Sequence, residues 1–139
     1  LPYLEPVVKW ISTTGIIVTA REQRLVSLTE GYAGTTDVLF TWDNGRGIGI
    51  LDYKTKRTKP GEKVEAYNEH KRQLAAYAAA RYGVDNLDQV LAANIFISST
   101  EPGRMEVIKH ENLKQHYDTF LHLCAIWRDE KGYDPRQSA

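Results

Sequence analysis

The chain has 139 residues, 42% apolar and 26% charged, and its 18 basic and 18 acidic side chains give a formal net charge of zero. That size and balance describe one globular domain with a real core, and the bulk charge advertises no nucleic-acid surface. No apolar run approaches the length of a membrane span or has the form of a signal peptide, and the single cysteine, Cys124, excludes an internal disulfide, a four-cysteine zinc site and a cysteine-ligated cluster. Such cysteine usage fits a reducing, intracellular compartment.

Taken in order, Pro6 suits the first turn of a short helix carrying Val7, Val8, Trp10 and Ile11, after an opening that also holds Pro2. Gly15 breaks it. Residues 16–28 are rich in β-branched side chains and read as a strand with a bend near Gln23. Residues 32–42 and 47–56 read as two further strands joined by the hairpin signal Asp43-Asn44-Gly45, so the three form an antiparallel meander. Residues 58–62 are a loop. The composition of 64–82 predicts the longest clear helix, stopped by Gly83, and this helix can serve as the crossover to a buried strand over 92–99. A short helical turn is expected over 87–91. Residues 101–104 turn into an alternating strand over 105–110. A last helix is expected from an Asn112 cap to about Lys131, with Leu113, Tyr117, Phe120, Leu121, Cys124 and Trp127 at helical spacing. The tail over 132–139 carries no core residues and is expected to fray. The order describes an α/β or α+β domain with a mixed central sheet flanked by helices.

The chemistry gathers in the meander. Side chains two apart on a strand share a face, so Asp52 and Lys54 point one way and Tyr53 the other. Asp37 lies on the preceding strand, and the Asn44-Gly45 turn stands roughly midway between the two acids, so they can meet across the hairpin. Two carboxylates suit Mg²⁺ or Mn²⁺, with the Tyr53 carbonyl as a further oxygen, and Lys54 could steady a nucleophilic water or developing phosphate charge. On the long helix Gln73 and Tyr77 share a face that Glu69 extends, where they could contact a nucleic-acid backbone or stack on a base. Between Asp52 and Lys63 stand Lys54, Lys56, Arg57, Lys59 and Lys63 against Asp52 and Glu62, a basic run placed to hold phosphates. Each feature has a plainer reading: a solvated strand end for Asp-x-Lys, a core ring for Tyr77, a capping amide for Gln73, a solvated loop for the basic run.

Gly34-Thr35-Thr36-Asp37, then Ile50-Leu51-Asp52-Tyr53-Lys54-Thr55, then Gln73-Leu74-Ala75-Ala76-Tyr77 resembles, in order and spacing, the motif series of the RecB-like branch of the PD-(D/E)XK nuclease superfamily. The resemblance implies a restriction-endonuclease-like core, with the three-stranded meander and two further strands in one sheet. It implies a hydrolase: a Mg²⁺- or Mn²⁺-dependent deoxyribonuclease, more in the style of an exonuclease on single strands or free ends, in DNA repair or recombination. The setting would be a bacterial or phage-infected cell, or a mitochondrion. Under it Asp37 and Asp52 are metal ligands with the Tyr53 carbonyl, and Lys54 is the catalytic lysine. Gln73, Tyr77, Thr55, Lys56 and Arg57 meet the DNA. Glu22 stands where members often carry a first-strand glutamate that could orient Lys54 or a metal-bound water; it is otherwise an exposed strand charge.

Many members also carry an upstream metal-binding histidine. His70, His110, His116 and His122 all follow Lys54, so an upstream helical segment bearing that histidine is expected outside this chain, which without it could be inactive. His116 and His122 have no acidic or cysteine partner at ligand spacing and read as structural. One cysteine rules out the iron–sulfur cluster of some relatives. Two alternatives stand beside the nuclease: a non-catalytic DNA-binding or regulatory domain that keeps the fold, and a structural α/β domain with a chance Asp-x-Lys, whose two carboxylates would face apart.

Overall fold

The computed structural model describes residues 4–137, so Pro2 and residues 138–139 lie outside the described residues. Its elements run α1 (Glu5–Thr13), β1 (Ile17–Ser27), β2 (Tyr32–Trp42), β3 (Gly47–Lys56), α2 (Asn68–Tyr82), a 3-10 turn (Val84–Gln89), β4 (Val90–Ser98), β5 (Met105–His110), α3 (Leu113–Lys131) and a short 3-10 turn (Pro135–Gln137). The five strands form one sheet in sequence order, antiparallel except where β3 and β4 run parallel. The parallel pair needs a crossover, and α2 supplies it. The fold is α/β, a five-stranded mixed sheet flanked by helices.

Strand alternation divides the core. Leu39, Ile50 and Ala92 face Leu74, Ala75, Ala78 and Ala79 of α2 and Leu113 and Tyr117 of α3. Their neighbours Val38, Phe40, Leu51, Ala93, Ile95 and Ile97 face the other way, where Val7, Trp10 and Ile11 of α1 cover part of them. The alanines of α2 are all but inaccessible, which lets the helix sit close on the sheet with α3 behind it.

The β2–β3 turn forms as its residues demand. Asn44 and Gly45 have φ of 56° and 84°, and Arg46 N–H donates to Asp43 O at 3.1 Å. Two positive φ values at the centre match the twist of a two-residue hairpin. Elsewhere the boundaries move. Helix α2 begins at Asn68 rather than 64, because 62–67 is held as a loop: Val64 is buried, Arg104 donates to Lys59 O and to Glu62 O, and Tyr67 N–H donates to His70 Nδ1. The helical turn comes earlier, over Val84–Gln89, and β4 therefore starts at Val90. Asn112 sits before α3 but in the left-handed region, φ 56°, with no side-chain cap. In α3 the apolar stripe is buried at its start and leaves the core at its end, where Trp127 is exposed. Residues 135–137 turn back so that Pro135 and Arg136 lie over Gly31.

Candidate active site

β2 and β3 are paired from the turn to Val38 opposite Leu51. The same register would next place Asp37 opposite Asp52, but there the sheet forks. The first half of β2 pairs with β1 alone, and the last half of β3 with β4 alone. The fork frees one backbone donor, and Asp37 takes it: Tyr53 N–H donates to Asp37 Oδ2 at 2.7 Å. Asp37, Asp52 and Lys54 lie on the α2 side of the sheet, as strand parity requires.

Asp52 is 5% exposed. Lys54 Nζ lies 2.8 Å from its Oδ2 as an ion pair, yet that oxygen is buried and receives no well-directed hydrogen bond. Burial pushes the Asp52 carboxyl up to about 6, the neighbouring Asp37 carboxyl adds to the rise, and Lys54 opposes it.

The helix closes the other side. Lys54 Nζ donates to Gln73 Oε1 at 3.2 Å, and Gln73 Nε2 donates to the Tyr77 hydroxyl at 3.2 Å. Tyr77 lies flat on Gly34: a Cβ there would stand 2.8 Å from the Tyr77 hydroxyl oxygen and nearer still to its ring. Burial and the Asp52 charge both raise the Tyr77 hydroxyl pKa. The three sequence stretches thus meet through side-chain contacts.

Other candidates are placed differently. Glu22 is exposed in a left-handed kink of β1, φ 48°; no group of three His, Cys, Asp or Glu side chains placed to hold a metal occurs among the described residues. The kink lies beside the bend expected near Gln23. Thr55 has the opposite strand parity to Lys54 and is exposed. Lys56 shares the site face, but its Nζ lies over the Tyr67 ring, 5.7 Å from the centroid. Arg57 is exposed. Glu69 stands with Arg72, Gln73 and Tyr77 along a cleft of about 340 Å³.

One buried polar residue under the site was not picked out from the sequence. Asn94, fully buried on β4, donates from Nδ2 to Asp52 O at 3.3 Å, and its Oδ1 lies 2.6 Å from His110 Nε2. The available signal was an asparagine inside the apolar run of β4. His70 sits in the first turn of α2 against Phe96, its pKa lowered first by burial and then by Lys54.

The donor set suits a hard divalent cation: two carboxylates on neighbouring strands, one of them buried, and a backbone carbonyl at the fork. No helix among the described residues is long and apolar enough to cross a membrane.

No protein-family model matches the sequence, and no curated protein matches it. Among solved structures, the chain is similar to SSO0001, with TM-score 0.51 and 16% identity over 95% of this chain and 58% of that one. It is also similar to the alkaline exonuclease LHK-Exo from Laribacter hongkongensis, with TM-score 0.50 and 17% identity over 93% of this chain and 69% of that one. The chain therefore spans 58% and 69% of these two structures, and the sheet with its flanking helices is a fold that a nuclease also adopts.

Proposed function

We propose that this chain is the core of a divalent-metal-dependent nuclease that hydrolyses DNA phosphodiester bonds, in the manner of an exonuclease at strand ends. One observation carries the reading: the Asp52 carboxylate is buried and ion-paired with Lys54, close to a second acid, where two strands fork. The likeness in fold to an alkaline exonuclease supports it.

In this reading Asp37, Asp52 and the Tyr53 carbonyl hold Mg²⁺ or Mn²⁺. The ion, when bound, supplies Lewis acidity and a more acidic water. Lys54 is steered by Gln73 and by Asp52, and its ammonium stands ready to meet the charge that grows on the phosphoryl oxygens. Tyr77 holds Gln73 in place through its hydroxyl and presents a ring to the entering strand. Lys56 and Arg57 lie further along β3, on the path of flanking phosphates.

A second reading, a DNA-binding domain that keeps the fold without catalysis, is favoured by the lack of a three-ligand acidic or histidine cluster among the described residues. Calorimetric titration with Mn²⁺ separates the two. The catalytic reading predicts a saturable site in the native protein that is lost in Asp37→Asn and in Asp52→Asn. A native protein without such a site, or one whose Mn²⁺ binding both substitutions leave intact, rejects it.

A further inference from the structure

Two clefts run into one another between α2, α3 and the start of β2. The first, of about 340 Å³, holds Gln73 and Tyr77, the helix residues tied to Lys54. The second, of about 410 Å³, ends at Trp127, Arg128 and Pro135. Tyr32, Ala33, Phe120 and Leu123 line both, so one groove leads from the candidate site to the last turns of α3. Its walls follow from helical spacing. Phe120, Leu123, Cys124 and Trp127 form one stripe of α3, and Glu69, Arg72, Gln73 and Ala76 one stripe of α2. Tyr32 bridges the walls: its ring meets Phe120 edge-on at 4.9 Å, and its hydroxyl donates to Ala76 O at 2.7 Å.

The groove leaves apolar surface in contact with water. Leu123 is 42% exposed and Trp127 44%. Tyr133 meets the Trp127 ring edge-on, at 6.3 Å with 72° between the planes, so it covers at most one face of the indole. Two cations stand in the groove, Arg72 near the site and Arg128 at the far end, against one acid, Glu69. Neither arginine has an ion pair among the described residues. Asp134 feels the charge of Arg128, but its carboxylate is bonded to Arg136.

We propose that this groove seats the single strand whose phosphodiester lies at Asp52 and Lys54: an unpaired base stacks on Trp127, and Arg72 and Arg128 meet flanking phosphates. Rings interleaved with cations hold a strand whatever its sequence, because every base has a π-face. A base inside a duplex has both faces taken by its neighbours in the stack, so the Trp127 contact favours unpaired strands. From Asp37 back to Ala33 the strand β2 runs about 13 Å, the length of roughly four stacked nucleotides. The Trp127 end lies past Ala33, so it receives a base several nucleotides from the reacting phosphate. Which phosphate reacts rests on the nuclease reading; the seating of a strand in the groove does not.

The test is binding of a labelled oligothymidylate of about twelve nucleotides, read by fluorescence anisotropy over a series of salt concentrations. EDTA is present throughout, so that nothing is cleaved. Trp127→Ala should weaken binding roughly tenfold, the scale of one base on one ring. Trp127→Phe keeps a ring and should recover most of that loss. The preference for the single strand over a blunt duplex of the same length should shrink in Trp127→Ala by the same factor. Arg72→Ala and Arg128→Ala should each reduce the slope of log K against log salt by about 0.7. The proposal is overturned if the native protein does not bind the strand, if Trp127→Ala binds it at native affinity, or if either arginine variant keeps the native slope. A concentration-dependent dimer that Trp127→Ala dissolves would overturn it too, by giving the groove to a second copy of the chain. A strand seated this way but never cut when Mg²⁺ is added contradicts the nuclease reading alone. A strand that is cut, and bound equally well without the indole, contradicts the groove alone.

Discussion

Gly34 and Tyr77 are far apart in sequence but share one volume. The ring lies where a side chain at 34 would be, and its hydroxyl is tied to Gln73, which is tied to Lys54. The glycine is thus needed for close approach and not for an unusual backbone angle. Gly34→Ala should push the ring aside and cost about 1–3 kcal/mol, the usual range for overpacking. Urea unfolding checks this, and the decisive comparison is a double-mutant cycle. The cost of Gly34→Ala should largely vanish in a Tyr77→Ala background, and an equal cost in both would show that the ring is not the obstacle.

At the scale of elements, the parallel β3–β4 pair and the β4–β5 hairpin carry two groups that titrate in opposite senses. His110 is held at about 4 against an ordinary 6.5, first by burial, then by Lys71, His116 and His70. In the fold it stays neutral between pH 6.5 and 4 while the unfolded chain takes up its proton, so acidification through that window weakens the fold. Asp52 is raised from 3.8 to about 6. It is protonated in the fold between 6 and 3.8 while the unfolded chain remains ionised, so the same acidification strengthens the fold. The two partly cancel. Moving from pH 7 to pH 5 in the presence of a chelator should therefore cost the Asp52→Asn variant more stability than it costs the native protein. Denaturant melts at the two pH values measure it, and an equal or smaller loss in the variant would contradict these assignments.

For the whole molecule, what could be read in advance followed the range of the interactions involved. β2 and β3 ended where expected because Asp43-Asn44-Gly45 is a local turn signal that leaves the chain little choice. The bond from Tyr53 N–H to Asp37, which brings Asp37 to the strand of Asp52, joins the two strands that this same turn pairs. Helix α2 started late because Val64 is claimed by the core and Arg104 pins the loop before it, and neither contact is visible in local composition. Glu22, singled out through the family resemblance alone, lies exposed in a left-handed kink of β1, a backbone feature that local composition does not signal. The role of Asn94 depends on a histidine sixteen residues away and a carbonyl on the next strand. Such pairings are set by the sheet as a whole.

The proposed nuclease activity requires Asp52 and Lys54 to act together on a phosphodiester. The direct measurement is degradation of end-labelled single- and double-stranded DNA with and without Mg²⁺, comparing the native protein with Asp52→Asn and Lys54→Ala. The account predicts Mg²⁺-dependent release of label by the native protein. It predicts a loss of at least about a hundredfold in each folded variant, the scale expected when a charge that meets the developing phosphoryl charge is removed. Undiminished, Mg²⁺-dependent cleavage by either variant would contradict it.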